Sequence, residues 1–355
     1  MRNVVNTKLK GLVALAVLLF AFSGILSAQK IAIIDAGSSG SRLFVYEVAQ
    51  SEVPTIKLLF PITPEQRKGA KGRALSSIAN HTDSVRVFLE NMTAKFQSEH
   101  TGIYILATAG MRLKPEAQAE AIYEKLRNLG TVNGYEVKGA MTISGQYEGL
   151  YGWLAANYDH GNIDVKHAAN GNELMFTDYP HGILEIGGAS MQLAFTTSHK
   201  GEDCLYRPGL NYIYSKSYLG GGVDQIFKHS KRKGNGYKFK LDIKDVSDQY
   251  QSHTWFMGLG IPVNNVIKGI SEQDQNKSYR KRINTYIKSL NDFEDTMKNY
   301  HPRINSHYIK WVSSHLNLND KLIQPFKDSS WTLGAALDIL INKEVPERYD
   351  HQLKN

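Results

Sequence analysis

Two stretches of this chain follow one plan: an apolar strand ending in a carboxylate, a turn of glycine and serine, and a second apolar strand. The first runs Ile31–Ile34, then Asp35-Ala-Gly-Ser-Ser-Gly-Ser41, then Leu43–Val48. The second runs Gly182–Leu184, then Glu185-Ile-Gly-Gly-Ala-Ser190, then Met191–Phe195. The two acids, Asp35 and Glu185, stand 150 residues apart. A module that recurs at a domain-length interval predicts a duplicated α/β architecture with a cleft between the halves. A chain of 355 residues is long enough for two such domains.

The remaining periodicity fits that plan. Val85, Phe88, Leu89, Met92 and Phe96 recur at three- and four-residue spacing, which predicts a helix over residues 81–98. Gly102–Leu106 reads as a strand running into Ala107-Thr108-Ala109-Gly110, and Pro115–Leu129 as a helix. Later, the glycine-rich Tyr218–Val223 precedes a helix and residues 279–300 read as a polar helix. Ser330–Leu340 reads as an apolar helix that returns to the first half. The expected limits are 29–144 for the first lobe with a C-terminal return over 326–355, and 145–325 for the second.

Glycine turns between strands let backbone N–H groups approach a phosphate, which a larger side chain would obstruct. A carboxylate at the strand end repels phosphate directly but holds a divalent cation, commonly through water. One Asp-x-Gly turn is ordinary hairpin chemistry. Two turns, each with an acid and a serine at matching places, are suited to gripping a phosphate chain from both sides.

The N-terminus carries Arg2, Lys8 and Lys10, then 18 uncharged residues from Gly11 to Ala28 that end in Leu-Ser-Ala. This is the pattern of a secretory signal peptide over residues 1–28, implying a secreted or periplasmic protein. The alternative is an uncleaved membrane anchor, since 18 residues lie near the lower limit for a span. Three of the positive charges behind the net +8 lie in that segment, so the rest is only mildly basic and nucleic acid is not expected as a partner. Lys228, Lys231, Arg232, Lys233, Lys238, Lys240 and Lys244 cluster and read as a solvated loop, or as a site that steers polyanions or meets anionic lipid. Cys204 is the single cysteine, so no internal disulfide can form. A monomer is expected.

Five segments in order resemble the apyrase family, the nucleoside triphosphate diphosphohydrolases of the actin and sugar-kinase-like superfamily. They are Asp35–Arg42, Ala107–Arg112, Ser144–Trp153 with Asn157-Tyr158, Leu184–Ser190 with Gln192, and Trp331–Ala335, joined by Tyr214–Gly222. The resemblance runs from about residue 30 to 340 and implies a two-lobed actin-like α/β fold with the active site in the interlobe cleft. It implies hydrolysis of nucleoside tri- and diphosphates such as ATP and ADP with Mg or Ca. Gly37, Ser38, Ser39, Gly40, Ser41 and Arg42 would form a first phosphate loop, and Gly187, Gly188, Ala189 and Ser190 a second. Asp35 and Glu185 would organise the water shell of the metal, and Thr108 would lie near the terminal phosphate. Glu148 would be the general base, with Ser190 and Gln192 holding the attacking water. Trp153 and Trp331 read as core.

Three positions depart from that family's pattern. Glu185 stands where aspartate is usual, Met191 where threonine is, and Tyr147 replaces the first of two adjacent glutamates. The absence of disulfides resembles bacterial members. Two alternatives share the scaffold: an exopolyphosphatase-like phosphohydrolase and a non-catalytic nucleotide-binding surface protein. A sugar kinase would need an aspartate for a substrate hydroxyl, and no segment supplies one. The base-binding residues are not marked. Tyr250, Trp255, Phe256 and Tyr308 are candidates for stacking, with packing the commoner role for each.

Overall fold

The computed structural model describes residues 29–49, 53–169, 171–207, 211–229, 231–233, 236–250, 254–290, 302–318, 322–325 and 330–342. The signal or anchor segment, residues 1–28, lies outside them. Among the described residues no helix is long and apolar enough to cross a membrane.

The first sheet is built from β1 (Gln29–Ala36), β2 (Ser41–Ala49), β3 (Thr55–Phe60), β4 (Lys71–Gly72), β5 (Thr101–Ala107), β6 (Thr131–Val132) and β7 (Tyr135–Thr142). A hairpin of β8 (Ile163–Ala168) and β9 (Gly171–Phe176) follows. The second sheet holds β10 (Gly182–Ile186), β11 (Ser190–Thr197), β12 (Cys204–Arg207) and β13 (Asn211–Leu219). A hairpin of β14 (Lys231–Lys233) and β15 (Gly236–Lys238) interrupts it before β16 (Phe256–Leu259) and β17 (Leu322–Pro325) complete it. The strand orders are β3-β2-β1-β5-β7-β6, with β4 on β2, and β12-β13-β11-β10-β16-β17.

The two sheets share their centre. Each has an antiparallel hairpin, β1–β2 or β10–β11, whose first strand pairs in parallel with a later one, β5 or β16. That strand pairs in parallel with the next, β7 or β17. The repeat seen in sequence is therefore a repeat of topology, and the fold is the expected two-lobed α/β architecture. Parallel strands covered on both faces are apolar throughout, which is why Ile31–Ile34 are all buried.

The helices are α1 (Pro64–Gly69), α2 (Thr82–Thr93), α3 (Ala109–Arg112), α4 (Glu116–Asn128), α5 (Gly145–Asp159), α6 (Val223–His229), α7 (Ile261–Ser271), α8 (Tyr279–Ser289), α9 (Pro302–His315) and α10 (Trp331–Asn342). The helix expected over 81–98 stops at Thr93 because Phe96 leaves the helical path to pack on Phe60, with ring centroids 5.5 Å apart. The helix expected over 279–300 ends at Ser289 among the described residues. Trp153 and Trp331 are core, as expected.

Helix α5 packs with residues of both sheets. Ser144 caps it by accepting the Tyr147 N–H at 3.2 Å. Leu150, Tyr151, Trp153, Leu154, Ala155 and Ala156 bury it on several sides. Gly145, Gly149 and Gly152 are pressed against the second sheet. A β-carbon on Gly145 would lie 2.2 Å from Ser217 Cβ, and one on Gly149 2.4 Å from Ser215 Oγ. Helix α10 returns to the first lobe, where Tyr46 and Thr332 share a hydroxyl hydrogen bond of 2.7 Å. It crosses α5 with no side chain between them, since a β-carbon on Gly334 would fall 2.0 Å from the Tyr151 carbonyl oxygen.

Candidate active site

Both glycine turns stand at the C-terminal ends of the parallel strands and face one another. A β-carbon on Gly188 of the second turn would meet Ser38 Oγ of the first at 2.8 Å. The first turn is also pinned from its own lobe, where a β-carbon on Gly110 would lie 2.7 Å from Ser38 Cα. Thr108 ends β5 there: its N–H donates to the Ala36 carbonyl at 3.3 Å, and its own carbonyl accepts the N–H groups of Met111 and Arg112. The Thr108 hydroxyl is buried and takes no part in capping α3.

The first turn proper is Gly37–Gly40. Gly40 has φ +155°, and a β-carbon there would press to 2.9 Å on the Gly72 carbonyl. Ser41 and Arg42, expected in the loop, instead begin β2. Arg42 sits across the ladder from Asp35 with its guanidinium 3.8 Å from the carboxylate. Ser41 Oγ is buried with no hydrogen-bond partner.

The second turn is held through its carbonyls. The Gly187 N–H donates to the Ser190 carbonyl at 3.0 Å. The carbonyls of Gly187, Gly188 and Ala189 accept the N–H groups of Val223, Asp224 and Gly220 at 3.0, 2.9 and 2.8 Å. Residues 220–224 thus take up the turn's acceptors, and of its N–H groups that of Gly187 is spent within the turn. A β-carbon on Gly222 would fall 2.3 Å from the backbone of Gly188 and Ala189, so only glycine permits the approach.

Three carboxylates converge. Burial pushes the Asp35 carboxyl up to about 7 against the attraction of Arg42, with Glu148 raising it further. Burial pushes Glu185 up to about 8, and the charges of Glu148 and Asp35 add to it. Glu185 Oε2 is buried without a partner, and a β-carbon on Gly152 would lie 2.9 Å from it. Among the described residues no three His, Cys, Asp or Glu side chains are grouped closely enough to ligate one ion directly. An unpaired buried carboxylate oxygen beside mutually repelling acids fits a cation held through its water shell.

Glu148 lies in the first turn of α5, buried, and its environment is polar. Arg112 Nη2 donates to Glu148 Oε2, and Gln192 Nε2 donates to the same oxygen at 3.0 Å. Gln192 Nε2 also lies 2.7 Å from Ser190 Oγ and 3.2 Å from Ser217 Oγ. Arg112 Nη1 reaches Ser217 Oγ at 3.4 Å. Burial raises the Glu148 pKa, while the charge and hydrogen bond of Arg112 oppose it. The glutamate is therefore held through one oxygen.

Thr108, Glu148, Ser190 and Gln192 thus come together with both turns and both acids. Sequence reasoning missed Arg112, Ser217 and Asp224. The first two stand inside segments quoted above, but their meeting links residues 105 apart. Asp224 is exposed at the start of α6, with Oδ2 2.7 Å from where a β-carbon on Gly188 would be.

The departures separate by strand and helix face. Alternation along β11 turns Ser190 and Gln192 to the cleft and Met191 to the core of the second lobe, where it is fully buried. Tyr147 packs towards α10, its ring 5.7 Å from that of Tyr151, which stacks on Trp331 at 6.4 Å. Of the stacking candidates, Tyr250, Phe256 and Tyr308 are buried in the aromatic core of the second lobe. Trp255 is 48% exposed, but its carbonyl accepts the Gly182 N–H at the opposite end of β10 from the turn. None of the four is placed to stack on a base at the turns.

The pattern of the GDA1/CD39 (nucleoside phosphatase) family matches residues 27–246. Nucleoside-triphosphatase ntp-1 of Caenorhabditis elegans is 34% identical over 225 residues, covering 59% of this chain and 36% of that protein. Ectonucleoside triphosphate diphosphohydrolase 3 of Mus musculus is 34% identical over 186 residues, covering 48% of this chain and 34% of that protein. The chain therefore spans about a third to two-fifths of the length of the curated relatives it matches. Among solved structures, the Aquifex aeolicus PPX-GPPA enzyme aligns over 87% of this chain and 99% of its own, at 14% identity and a TM-score of 0.49.

Proposed function

We propose that this chain, which belongs to the GDA1/CD39 (nucleoside phosphatase) family, hydrolyses nucleoside tri- and diphosphates to the monophosphate and inorganic phosphate. One observation carries the reading: two acid-glycine-serine turns meet across the cleft, and a buried glutamate stands behind them in a network of donors.

In this reading the terminal phosphate lies between Gly37–Gly40 and Gly187–Ser190, where backbone N–H groups meet its oxygens. Thr108 donates to it from the floor of the cleft. Ser190 and Gln192 position the attacking water, and Glu148 accepts its proton through the carboxylate oxygen that Arg112 leaves free. Asp35 and Glu185 would hold a divalent cation, Mg or Ca, through water; when bound, it neutralises charge on the phosphate oxygens. The charged and then apolar residues 1–28 support export of the chain, so that the reaction takes place outside the cytoplasm.

The test is phosphate release from ATP, ADP, AMP and polyphosphate by the chain from Gln29 onward, with Mg or Ca, with EDTA, and with Glu148→Gln. The expected result is cleavage of ATP and ADP but not AMP, abolished by EDTA and by the substitution while nucleotide still binds. Cleavage of polyphosphate alone would overturn the substrate. Binding without cleavage would leave a nucleotide-binding protein.

A further inference from the structure

The turn at Gly187–Ser190 is braced from behind by a residue outside the matched family segment. Tyr308 lies on α9, beyond the matched segment 27–246. The helix buries Ile304, Tyr308, Ile309 and Val312 on one face, and Tyr308 is 1% exposed. Its ring sits in an aromatic tier, 5.1 Å from Phe239 and 6.1 Å from Trp311. A phenylalanine would fill that tier equally well. The hydroxyl is what distinguishes tyrosine, and it donates to the Gly221 carbonyl at 2.8 Å, with Met191 Sδ 3.8 Å away.

Gly221 is the middle of the brace. Its N–H donates to the Tyr218 carbonyl at 3.0 Å, closing a turn. Gly220 on one side, and Val223 and Asp224 on the other, donate to the carbonyls of the phosphate turn. Met191 Cβ and Leu241 Cδ2 would lie 3.1 and 3.0 Å from a β-carbon on Gly221, so the peptide is boxed in on its apolar sides. The Tyr308 hydroxyl is the polar contact that the second lobe's core makes with that peptide's carbonyl. Burial pushes the phenol's pKa up, so it remains a donor at any working pH.

We propose that Tyr308 is a positioning residue for the second phosphate turn, acting through Gly221 to hold the carbonyls of residues 187–189 away from the cleft. The inference rests on the reading of that turn as a phosphate loop. It would fix the backbone geometry of a glycine-rich segment that is otherwise free to reorient.

The test is Tyr308→Phe, which keeps the ring and removes one oxygen. Steady-state kinetics with Mg-ADP would be paired with calorimetric Kd values for inorganic phosphate and Mg-ADP, and with a melting curve. Loss of one neutral hydrogen bond should raise KM and both Kd values about fivefold, with kcat changed less than about twofold. Gly221→Ala, which crowds the same peptide from the other side, should give the same signature, and the double variant should be no worse than the more affected single one. A lower melting temperature with unchanged KM and Kd would overturn the proposal and leave Tyr308 a core residue. If the unsubstituted chain cleaves no nucleotide, the hydrolase reading fails and the phosphate Kd alone judges Tyr308. If that chain binds neither phosphate nor ADP, the proposal falls with the loop.

Discussion

Arg112 gives the sharpest test of how the site works. Its guanidinium is buried against Glu148, and a β-carbon on Gly145 would lie 2.8 Å from its Nη1, so the pocket has little room to rearrange. In Arg112→Met the apolar side chain fills the space and the positive charge is gone. Leaving Glu148 ionised there would cost about 3–5 kcal/mol, the penalty for an uncompensated buried charge. Glu148 avoids that by taking up a proton, since burial already pushes its pKa upward and Arg112 is what opposes the shift. The stability loss should then be about 1.5–3 kcal/mol, that of the charge-assisted hydrogen bonds. A protonated Glu148 cannot take the proton of the attacking water, so kcat should fall by about 10²–10⁴ near neutral pH, the contribution of a general base. Activity should recover about tenfold per pH unit as the pH rises, because only the ionised fraction works. The assay is a pH–rate profile of phosphate release from saturating ATP for the unsubstituted chain, Arg112→Met, Glu148→Gln and the double variant. In the double variant the two losses should not add, because both remove the same base. A profile for Arg112→Met that keeps its shape and stays within about threefold of the unsubstituted chain would refute the reasoning.

Three further outcomes follow from the geometry. With EDTA present, thermal stability should fall as pH rises through about 7 and about 8, because Asp35 and Glu185 hold their protons more tightly folded than unfolded. That stabilisation is complete below about pH 4, where both states are protonated, and Mg or Ca added at pH 8.5 should restore the melting temperature; a flat melting curve against pH would exclude it. Gly145→Ala should push α5 off β13, cost about 1–3 kcal/mol in chemical denaturation, and lower kcat by separating Glu148 from Gln192. Tyr147→Glu, which returns the acid usual in the apyrase pattern, should lose about 0.5–1.5 kcal/mol with the aromatic contact to Tyr151 and give no gain in kcat.

The sequence was most legible where the signal is local. A hairpin with a glycine turn declares itself within ten residues, so both turns, their acids and their serines were found and the duplicated sheets followed. Glu148, Ser190 and Gln192 came from the resemblance, and the structure brings them together. What the sequence hid was partnership. Nothing about Arg112 alone says that it meets Glu148, 36 residues on, or Ser217 in the other lobe. The glycines of α5 did carry a signal, since positions 145, 149 and 152 share one helical face, but only the second sheet shows what they make room for. The aromatic residues took the commoner of their two roles: Tyr250, Phe256 and Tyr308 have the chemistry to stack on a base, and the second lobe uses them as core. The resemblance places Ser41 and Arg42 in the loop, whereas the ladder from Asp35 claims them for β2.

The bare crossing of α5 and α10 has a mechanical consequence. With Gly334 against the Tyr151 carbonyl, the backbones touch, and any rotation between the lobes that pivots on this contact would have its fulcrum there. Glu148 stands three residues from that point, about 4.5 Å along the helix axis. A swing of the lobes by about 10° would displace the glutamate by less than about 1 Å, because its lever arm is short. Parts of the cleft further out travel in proportion to their distance. Under the proposed reaction, a gap that widens to release product would leave Glu148 almost still, so alignment for the next turnover would not have to be rebuilt each time.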